Sequence, residues 1–279
     1  MGVEYDYLVC SFGLSDKVAV VTGGGGVLAG VMSRALGRVG VKVAVLDLIL
    51  KAAQKVVDEV VAAGGEAIAV KCDVLNRASM EAACRKVLER FGWVDILING
   101  AGGNKKEATT GSDVSFFDLP LDAVQSVFNL NFIGTLLPSQ VFGRILANRG
   151  EGVILNISSM NAFRPLTKIP AYSAAKAAVS NFTQWLAVHM SQEYSNKIRV
   201  NAIAPGFFLT EQNRFLLTDE TNGELSPRGK TIIDHTPMGR FGDPEDLIGT
   251  MFWLLSPGAA FVHGVVVPVD GGFSAFSGV

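Results

Sequence analysis

Short apolar runs rich in valine and isoleucine recur along the chain and are separated by longer, more polar segments. Runs of this length, bounded by glycine, proline or polar residues, are typical of β-strands that are buried on both faces. The sequence therefore predicts seven strands, at residues 18–22, 42–47, 67–71, 94–98, 152–157, 198–203 and 264–269.

The segments between these runs have apolar residues that recur with the period of an α-helix. Strand and helix thus alternate, which predicts an α/β fold: a doubly wound sheet of seven parallel strands with helices on both faces. Ligands of such sheets bind beyond the carboxyl ends of the strands. The predicted helices lie near 27–39, 50–63, 76–91, 121–148, 170–195 and 243–255.

One long connection, residues 205–240, interrupts this alternation. It contains three prolines and has only a weak helical pattern at 211–217. A connection of this length in a compact domain is commonly functional, so we expect a substrate lid there. No linker or repeat divides the rest of the chain. We therefore expect a single domain over 15–279, preceded by an N-terminal extension, 1–14.

Composition and charge restrict the class of partner. The chain has 279 residues, of which 49% are hydrophobic, and its formal net charge is -2. Because no block of like charges is present, we expect a small-molecule substrate, with neither nucleic acid nor a membrane as partner. The mean hydropathy is +0.34, but charged or helix-breaking residues interrupt every apolar run before it could cross a bilayer.

Cysteine usage and the start of the chain predict the compartment. Cys10, Cys72 and Cys84 cannot all pair and have no CxxC spacing, which is typical of a reducing environment. The first residues lack the basic start and apolar run of an export signal, so we expect a cytoplasmic protein. Histidines, cysteines and carboxylates do not cluster in the sequence, and we expect no metal.

A glycine-rich segment, VVTGGGGVLAG (20–30), follows the first predicted strand and opens the first predicted helix. Glycine lets the backbone approach a pyrophosphate, and the free N–H groups of a helix start favour its negative charge. Tight turns also use glycine for conformational reasons alone, so the position of the segment and its neighbours give it weight. Candidate cofactor-binding residues are Gly23, Gly25, Gly26, Val27 and Leu28.

Asp47 closes the second predicted strand, about where an acidic residue meets the adenosine ribose of a dinucleotide. A carboxylate there binds both ribose hydroxyls and repels a 2′-phosphate, so we expect NAD rather than NADP. The alternative is a solvated N-cap of the next helix. Residues after the third and fourth strands could each form only a turn, but together they predict an adenine contact and a wall of the nucleotide site: Asp73, Val74, Asn99, Gly100, Ala101 and Gly102.

Tyr172 and Lys176 are four residues apart on a predicted helix and so share one face. A tyrosine packed on the core beside a lysine that extends to solvent has the same spacing. Ser159 favours chemistry, because it follows the fifth strand and can lie beside the start of that helix. We expect Tyr172 to exchange a proton with an alcohol, Lys176 to lower the Tyr172 pKa and bind the nicotinamide ribose, and Ser159 to bind the substrate oxygen. Asn131 is expected to hold a water near Lys176.

Over nearly its full length the sequence resembles the short-chain dehydrogenase/reductase family, through the motifs TGGGGVLA, NGAG, NFIG, ISS, YSAAK, NAIAPGFFLT and VDGG. The resemblance implies a Rossmann-type fold, NAD(P)-dependent hydride transfer at a CH–OH group, and a homotetramer built through the helices 121–148 and 170–195. One departure is that Val27 and Ala29 stand at the last two glycine positions of the family turn, TGxxxGxG. The resemblance also implies a catalytic tetrad of Ser159, Tyr172, Lys176 and Asn131, and cofactor contacts from Pro205, Gly206, Phe208 and Thr210.

Within this family, segments 158–189, 204–218 and 268–279 resemble the D-mannonate oxidoreductases, or fructuronate reductases, which interconvert D-mannonate and D-fructuronate. A sugar acid needs a cation for its carboxylate and polar side chains for its hydroxyls. Oxidation of another sugar acid or polyol, such as gluconate at its fifth carbon, stays open, as does an inactive nucleotide sensor or scaffold. Candidate substrate-binding residues are Asn104, Met160, Asn161, Gln212, Arg164 as first choice for the carboxylate, and Arg214 as second. The alternative for each arginine is a solvated base on the surface.

Overall fold

The computed structural model of the protein describes residue 7 and residues 9–209, 217–218 and 223–278. In this part of the chain the apolar runs form seven strands, whose ends lie within two residues of the predicted ones. The strands are β1 Val18–Thr22, β2 Lys42–Asp47, β3 Ala67–Lys71, β4 Ile96–Asn99, β5 Gly152–Ile157, β6 Ile198–Pro205 and β7 Val266–Val269.

Helices occupy the segments between the strands, as the apolar period predicts. The last predicted helix, 243–255, begins as a 3-10 turn, Pro244–Leu247, which the Asp243 side chain caps. The α-helices are α1 Val27–Arg38, α2 Leu50–Ala62, α3 Arg77–Phe91, α4 Leu121–Phe128, α5 Gly134–Arg149, α6 Pro170–Glu193, α7 Pro227–Asp234 and α8 Ile248–Leu255.

The seven strands form one parallel sheet in the order β3-β2-β1-β4-β5-β6-β7. The chain builds outward from β1 to β3, returns to the middle, and continues from β4 to β7. The predicted doubly wound, Rossmann-type α/β architecture is therefore confirmed. Because the order reverses between β1 and β4, the loops after these strands border a crevice at the carboxyl edge of the sheet.

Both faces of the sheet are covered by helices, because side chains along each strand alternate between the faces. In β1, Val18 and Val20 pack in a cluster with α3, α5 and α6, whereas Ala19 and Val21 pack in a cluster with α1, α2 and α8. Burial on both faces explains why the strand sequences are continuously apolar rather than alternating.

The prediction of one continuous helix over 121–148 is wrong at its centre. A π-helical turn, Asn129–Ile133, separates α4 from α5. The Asn131 side chain explains the local change, because its Nδ2 donates to Val127 O at 2.8 Å, the carbonyl that lies four residues earlier. A side-chain donor thus occupies the acceptor that the backbone of a regular α-helix would use.

Helix α7 was not predicted, because the weak apolar pattern of the 205–240 connection pointed to 211–217 instead. The sequence carries a start signal for α7: Ser226 Oγ accepts a hydrogen bond from Gly229 N at 3.0 Å, and Pro227 occupies the first turn. Residues 211–216 lie outside the described part of the chain, so the predicted helix there is not tested.

At the amino end, the described part of the extension packs on the domain. Leu14 is buried in the core, and a Cβ on Gly258 would lie 3.1 Å from Phe12 Cε1. Among the described residues, no helix combines the length and apolar character that crossing a membrane requires.

Candidate active site

A cleft of about 700 Å³ opens at the carboxyl edge of the sheet, on both sides of the crevice between β1 and β4. Its volume lies in the range of ligand pockets in proteins. Most residues predicted for the nucleotide site meet there, although they are spread over the chain. Those that line the cleft are Gly23, Gly26, Val27, Leu28, Asp47, Asp73, Val74, Gly100, Ala101, Gly102, Tyr172, Gly206 and Phe208.

The glycine-rich turn connects β1 to α1 at one wall of this cleft. Gly23 has a φ of 63°, and a Cβ there would lie 2.7 Å from Ala101 Cα, so a side chain is excluded. Helix α1 begins after Gly26, which supplies no side-chain cap to the first N–H groups. Val27 and Leu28, at the start of the helix, line the cleft. This arrangement fits a pyrophosphate.

Ala29, which stands at a family glycine position, is accommodated by Gly100 on the opposite wall. A Cβ on Gly100 would lie 2.9 Å from Ala29 Cβ and 2.8 Å from Thr22 O. Helix α1 therefore approaches the loop after β4 closely at this point. Thr22 Oγ1 also accepts a hydrogen bond from Gly100 N at 3.2 Å, which holds the two walls together.

Asp47 binds the glycine turn rather than capping the next helix. Its Oδ2 accepts a hydrogen bond from Gly25 N at 3.0 Å, and its Oδ1 accepts one from Ile49 N at 2.9 Å. Ile49 is the N-cap residue of α2, so the alternative of Asp47 as a cap does not describe this structure. The carboxylate lines the cleft and retains lone pairs, which fits a ribose diol and disfavours a 2′-phosphate.

Behind Tyr172, Lys176 is buried with 4% of its surface exposed. Its Nζ donates a hydrogen bond to Ile157 O at 2.7 Å and lies 5.6 Å from the centroid of the Tyr172 ring. Burial lowers the pKa of Lys176 from 10.5 to about 8. The spacing of four residues thus places both side chains at one site, and the lysine does not extend to solvent.

Ser159 lies next to Tyr172, as the position after β5 predicts. Burial raises the pKa of the Tyr172 hydroxyl, and its interaction with the Ser159 hydroxyl partly opposes this increase. The expected lowering of the Tyr172 pKa by Lys176 is not observed, because the lysine bonds to a backbone carbonyl and desolvation of the phenol dominates. At neutral pH the phenol therefore keeps its proton and can donate it.

Asn131 is fully buried and joins the π-helical turn to the loop after β4. Its Nδ2 donates to Gly103 O at 2.7 Å, and its Oδ1 accepts from Gly103 N at 3.2 Å. A Cβ on Gly102 would lie 2.7 Å from Asn131 Oδ1 and 3.3 Å from Lys176 Nζ, so both side chains converge on that glycine. The structure thus brings the four tetrad residues together, whereas a water held by Asn131 stays a prediction.

Four described residues that were predicted to bind the cofactor lie outside the lining of the cleft: Gly25, Asn99, Lys176 and Pro205. Asn99 is buried in β4, and its Nδ2 donates to Ser139 Oγ at 2.9 Å and to Asn156 Oδ1 at 2.8 Å. It therefore links β4, β5 and α5 beneath the cleft. Pro205 is the last residue of β6 and pairs with Val269. Three further predicted residues lie outside the described part of the chain: Thr210, Gln212 and Arg214.

The predicted substrate-binding residues lie in two places. Asn104 lines the cleft. Met160 and Asn161 are buried in a 3-10 turn after β5, where they shape the loop beside Ser159. Arg164, in the same loop, is exposed, and its Nε donates a hydrogen bond to Ser274 O at 3.1 Å.

Several lining residues were not predicted, because they are apolar or belong to ordinary turns. The sequence signal for Leu48 is its position directly after Asp47; in the structure it is 60% exposed although apolar. Cys72 is buried, and burial raises its pKa to about 11, so its thiol is a poor nucleophile at neutral pH. The lining residues absent from the prediction are Ala29, Leu48, Cys72, Gly103, Leu130, Ile157, Ile169 and Phe207.

Comparison with known proteins gives one family. The family model described as short chain dehydrogenase matches residues 17–221. This range includes the glycine-rich turn, Asp47, Ser159, Tyr172 and Lys176.

Individual relatives extend over almost the whole chain. An uncharacterized oxidoreductase of Bacillus subtilis, UxuB, is 51% identical over 275 residues, which cover 95% of this chain and 98% of the relative. A 2-dehydro-3-deoxy-D-gluconate 5-dehydrogenase of Dickeya dadantii is 32% identical over 266 residues, with 95% and 98% covered. A crystal structure from Haemophilus influenza with bound NAD, provisionally named a D-mannonate oxidoreductase, is 48% identical; its TM-score is 0.89, and the match covers 95% of this chain and 98% of that one.

Proposed function

The chain belongs to the short chain dehydrogenase family and is an oxidoreductase acting on an alcohol group, and we propose that it interconverts D-mannonate and D-fructuronate with NAD. The observation that carries the proposed chemistry is that Tyr172, which lines the glycine-rich cleft, lies beside Ser159 and buried Lys176. A phenol beside a hydroxyl and an ammonium is suited to proton exchange with a substrate oxygen.

The cofactor assignment rests on three features of the cleft. Helix α1 starts without a side-chain cap, Asp47 presents its carboxylate, and a Cβ on Gly100 or Gly102 would approach neighbouring atoms to 2.8 or 2.7 Å. The Haemophilus influenza structure that is 48% identical contains NAD. When bound, NAD supplies the acceptor for the hydride that leaves the carbinol carbon.

The residues of the chain itself move and stabilise the proton. In reduction, the Tyr172 hydroxyl donates its proton to the substrate oxygen while the Ser159 hydroxyl binds that oxygen. In oxidation, the Tyr172 phenolate takes the proton from the substrate hydroxyl. Lys176 Nζ lies 5.6 Å from the centroid of the Tyr172 ring, where it is placed to bind the nicotinamide ribose, and Asn131 fixes the loop at Gly103.

The choice of substrate is supported by similarity. The structure provisionally named a D-mannonate oxidoreductase is 48% identical to this chain, whereas the Dickeya dadantii dehydrogenase, which acts on another sugar acid, is 32% identical. The Dickeya dadantii dehydrogenase favours one alternative, which is oxidation of a gluconate-type acid at its fifth carbon. Both reactions use the same proton-exchanging residues, so only substrate preference separates them.

A substrate panel tests this choice directly. D-mannonate, D-gluconate, 2-dehydro-3-deoxy-D-gluconate and D-mannitol are each offered with NAD and with NADP, and the reduced nicotinamide is followed by absorbance. We expect the highest kcat/KM for D-mannonate with NAD. Turnover of D-gluconate without turnover of D-mannonate would support the alternative instead.

Tyr172→Phe tests the chemistry independently of the substrate. We expect hydride transfer to fall by at least roughly 100-fold, because general acid–base catalysis typically contributes that much. NAD binding, followed by fluorescence or calorimetry, should stay close to the wild-type value. Retained turnover would refute Tyr172 as the proton-exchanging residue.

We also propose a cytoplasmic homotetramer in which α5 and α6 form subunit contacts. The support is an apolar surface on α6, where the rings of Phe182, Trp185 and His189 stack with centroids 6.2 and 4.7 Å apart. Trp185 is 56% exposed in the single chain. An aromatic surface of this kind is typical of protein interfaces.

We also propose that the connection 205–240 acts as a substrate lid.

A further inference from the structure

The carboxyl-terminal segment 270–278, here called the tail, folds back after β7. Asp270 caps the turn: its Oδ1 accepts from Gly272 N at 3.0 Å and its Oδ2 from Ser274 N at 2.9 Å. Gly271 and Gly272 have φ of 64° and 89°, which residues with side chains rarely adopt. The VDGG motif therefore fixes the direction in which the tail leaves the sheet.

The tail packs on the segments that border the cleft. The ring of Phe273 lies 5.1 Å, between centroids, from that of Phe207, which lines the cleft. His235, at the end of α7, lies 6.5 Å from Phe273 and 6.3 Å from Phe276. The tail is thus in contact both with the loop after β6 and with the helix that follows it.

The tail also holds the side chain of Arg164. Arg164 Nε donates to Ser274 O at 3.1 Å, one residue beyond Phe273. The backbone of Arg164 is fixed as well, because its N–H donates to Met160 O at 3.0 Å, in the turn that begins at Ser159. Arg164 is therefore fixed at both ends, its backbone to the turn after Ser159 and its side chain to the residue that follows Phe273.

One edge of this guanidinium stays available. The described part of the chain offers no partner to the two Nη groups of Arg164, and the side chain is exposed. Two other cations of the surrounding loops are engaged: Lys105 Nζ donates to Ser126 Oγ at 2.6 Å, and Arg240 pairs with Asp246. A guanidinium with both Nη groups open matches the two oxygens of a carboxylate.

We propose that Arg164 binds the carboxylate of the sugar acid and that the tail positions Arg164 for this contact. The inference rests on the proposed function, because it requires an acidic substrate whose alcohol carbon lies beside Tyr172. Phe273 and the Ser274 carbonyl act through Arg164 and are positioning groups. The tail thereby determines specificity for acids over uncharged polyols, although it does not touch the reacting atoms.

Steady-state kinetics of Arg164→Met tests the contact. A hydrogen-bonded charge contact supports roughly a 10- to 100-fold difference in binding, so the KM for D-mannonate should rise by that factor. The kcat should stay within about threefold, and the KM for NAD should not change, since the proton-exchanging residues are intact. The KM of Arg164→Lys for D-mannonate should lie between those of the wild type and Arg164→Met, because lysine keeps the positive charge and loses the paired N–H donors of the guanidinium.

Lys168→Met is the matched control, since Lys168 is a cation of the same loop that lines a different groove, with Phe116 and Ala177. We expect wild-type kcat and KM values for this variant.

Phe273→Ala tests the positioning role: it should raise the KM for D-mannonate without changing the KM for NAD. Combined with Arg164→Met it should add little, because both changes remove the same contact.

The possible results separate this inference from the proposed function. If the wild type turns over no hexonate, the proposed function fails, and the inference fails with it. If the wild type turns over D-mannonate and Arg164→Met keeps its KM, the proposed function stands and the Arg164 contact is refuted. A change in the KM for NAD equal to that for D-mannonate would also refute it, as would fully additive effects of the Arg164 and Phe273 variants.

Discussion

Lys176 lies in an environment that opposes its charge. Burial lowers its pKa from 10.5 to about 8, so the unfolded chain binds this proton more tightly than the folded one. Folding with a buried ammonium therefore costs about 3 kcal/mol at neutral pH. Because the folded pKa is the lower of the two, the cost is complete below pH 8 and disappears as the pH rises toward 10.5. Because the buried ammonium destabilises the fold, its presence indicates a chemical role for Lys176 rather than a structural one.

Lys176→Met should accordingly stabilise the protein while abolishing turnover. We expect the free energy of unfolding at pH 7 to rise by roughly 1–2 kcal/mol, since the lost hydrogen bond to Ile157 O offsets part of the gain. The difference from wild type should narrow between pH 8 and pH 10.5. Urea unfolding at several pH values measures it, with Lys55→Met on exposed α2 as control. A difference that does not vary with pH would contradict the buried charge.

The Asp47 carboxylate has two functions that one substitution separates. Asp47→Asn keeps an oxygen that can accept the hydrogen bond from Gly25 N, but it removes the charge that repels a 2′-phosphate. We expect kcat/KM with NAD to fall by less than about tenfold and kcat/KM with NADP to rise, while Asp47→Ala should weaken both the turn and NAD binding. An unchanged preference for NAD in Asp47→Asn would show that charge does not set it.

The contact between α1 and the loop after β4 depends on a matched pair of small residues. A Cβ on Gly100 would lie 2.9 Å from Ala29 Cβ and 2.8 Å from Thr22 O. Gly100→Ala should therefore reduce the free energy of unfolding by about 1–3 kcal/mol. Ala29→Gly alone should cost about 0.5–1 kcal/mol, because glycine weakens a helix.

The double variant Ala29→Gly/Gly100→Ala should be more stable than the sum of the single effects predicts, by at least about 0.5 kcal/mol. Full recovery is not expected, since the contact with Thr22 O remains. Urea unfolding of the wild type, the two single variants and the double variant gives the four free energies that this double-mutant cycle compares. Strict additivity would show that Ala29 and Gly100 do not constrain each other, and that the departure from the family glycine pattern has another cause.

Hydrophobic periodicity predicted the strands and most helices because burial on a two-sided sheet imposes long apolar runs. It failed where a single side chain changes the backbone. The π-helical turn depends on the bond from Asn131 to Val127 O, and the start of α7 depends on the Ser226 cap. Neither bond changes the apolar period, so capping and side-chain acceptors must be considered separately from it.

The arrangement of the whole molecule explains which site residues could be predicted. Parallel strands end at one edge, so residues at the ends of separate strands, such as Asp47 and Ser159, lie along the same edge without any local signal between them. The contact of Arg164 with Ser274 spans 110 residues and uses a backbone carbonyl, which no side-chain pattern marks. Sequence predicted Arg164 as a candidate; only the path of the tail shows how the side chain is held.

The exposed aromatic surface of α6 bears on how several copies of the chain assemble. If α5 and α6 form subunit contacts, Trp185→Glu introduces a charge where apolar surface is buried, and the tetramer should dissociate. Light scattering should then change from four times the 29.6 kDa of one chain to a smaller mass. Val61→Glu, on exposed α2, is the control and should leave the mass unchanged. A wild-type mass of 29.6 kDa, or an intact tetramer in Trp185→Glu, would contradict subunit contacts through this surface.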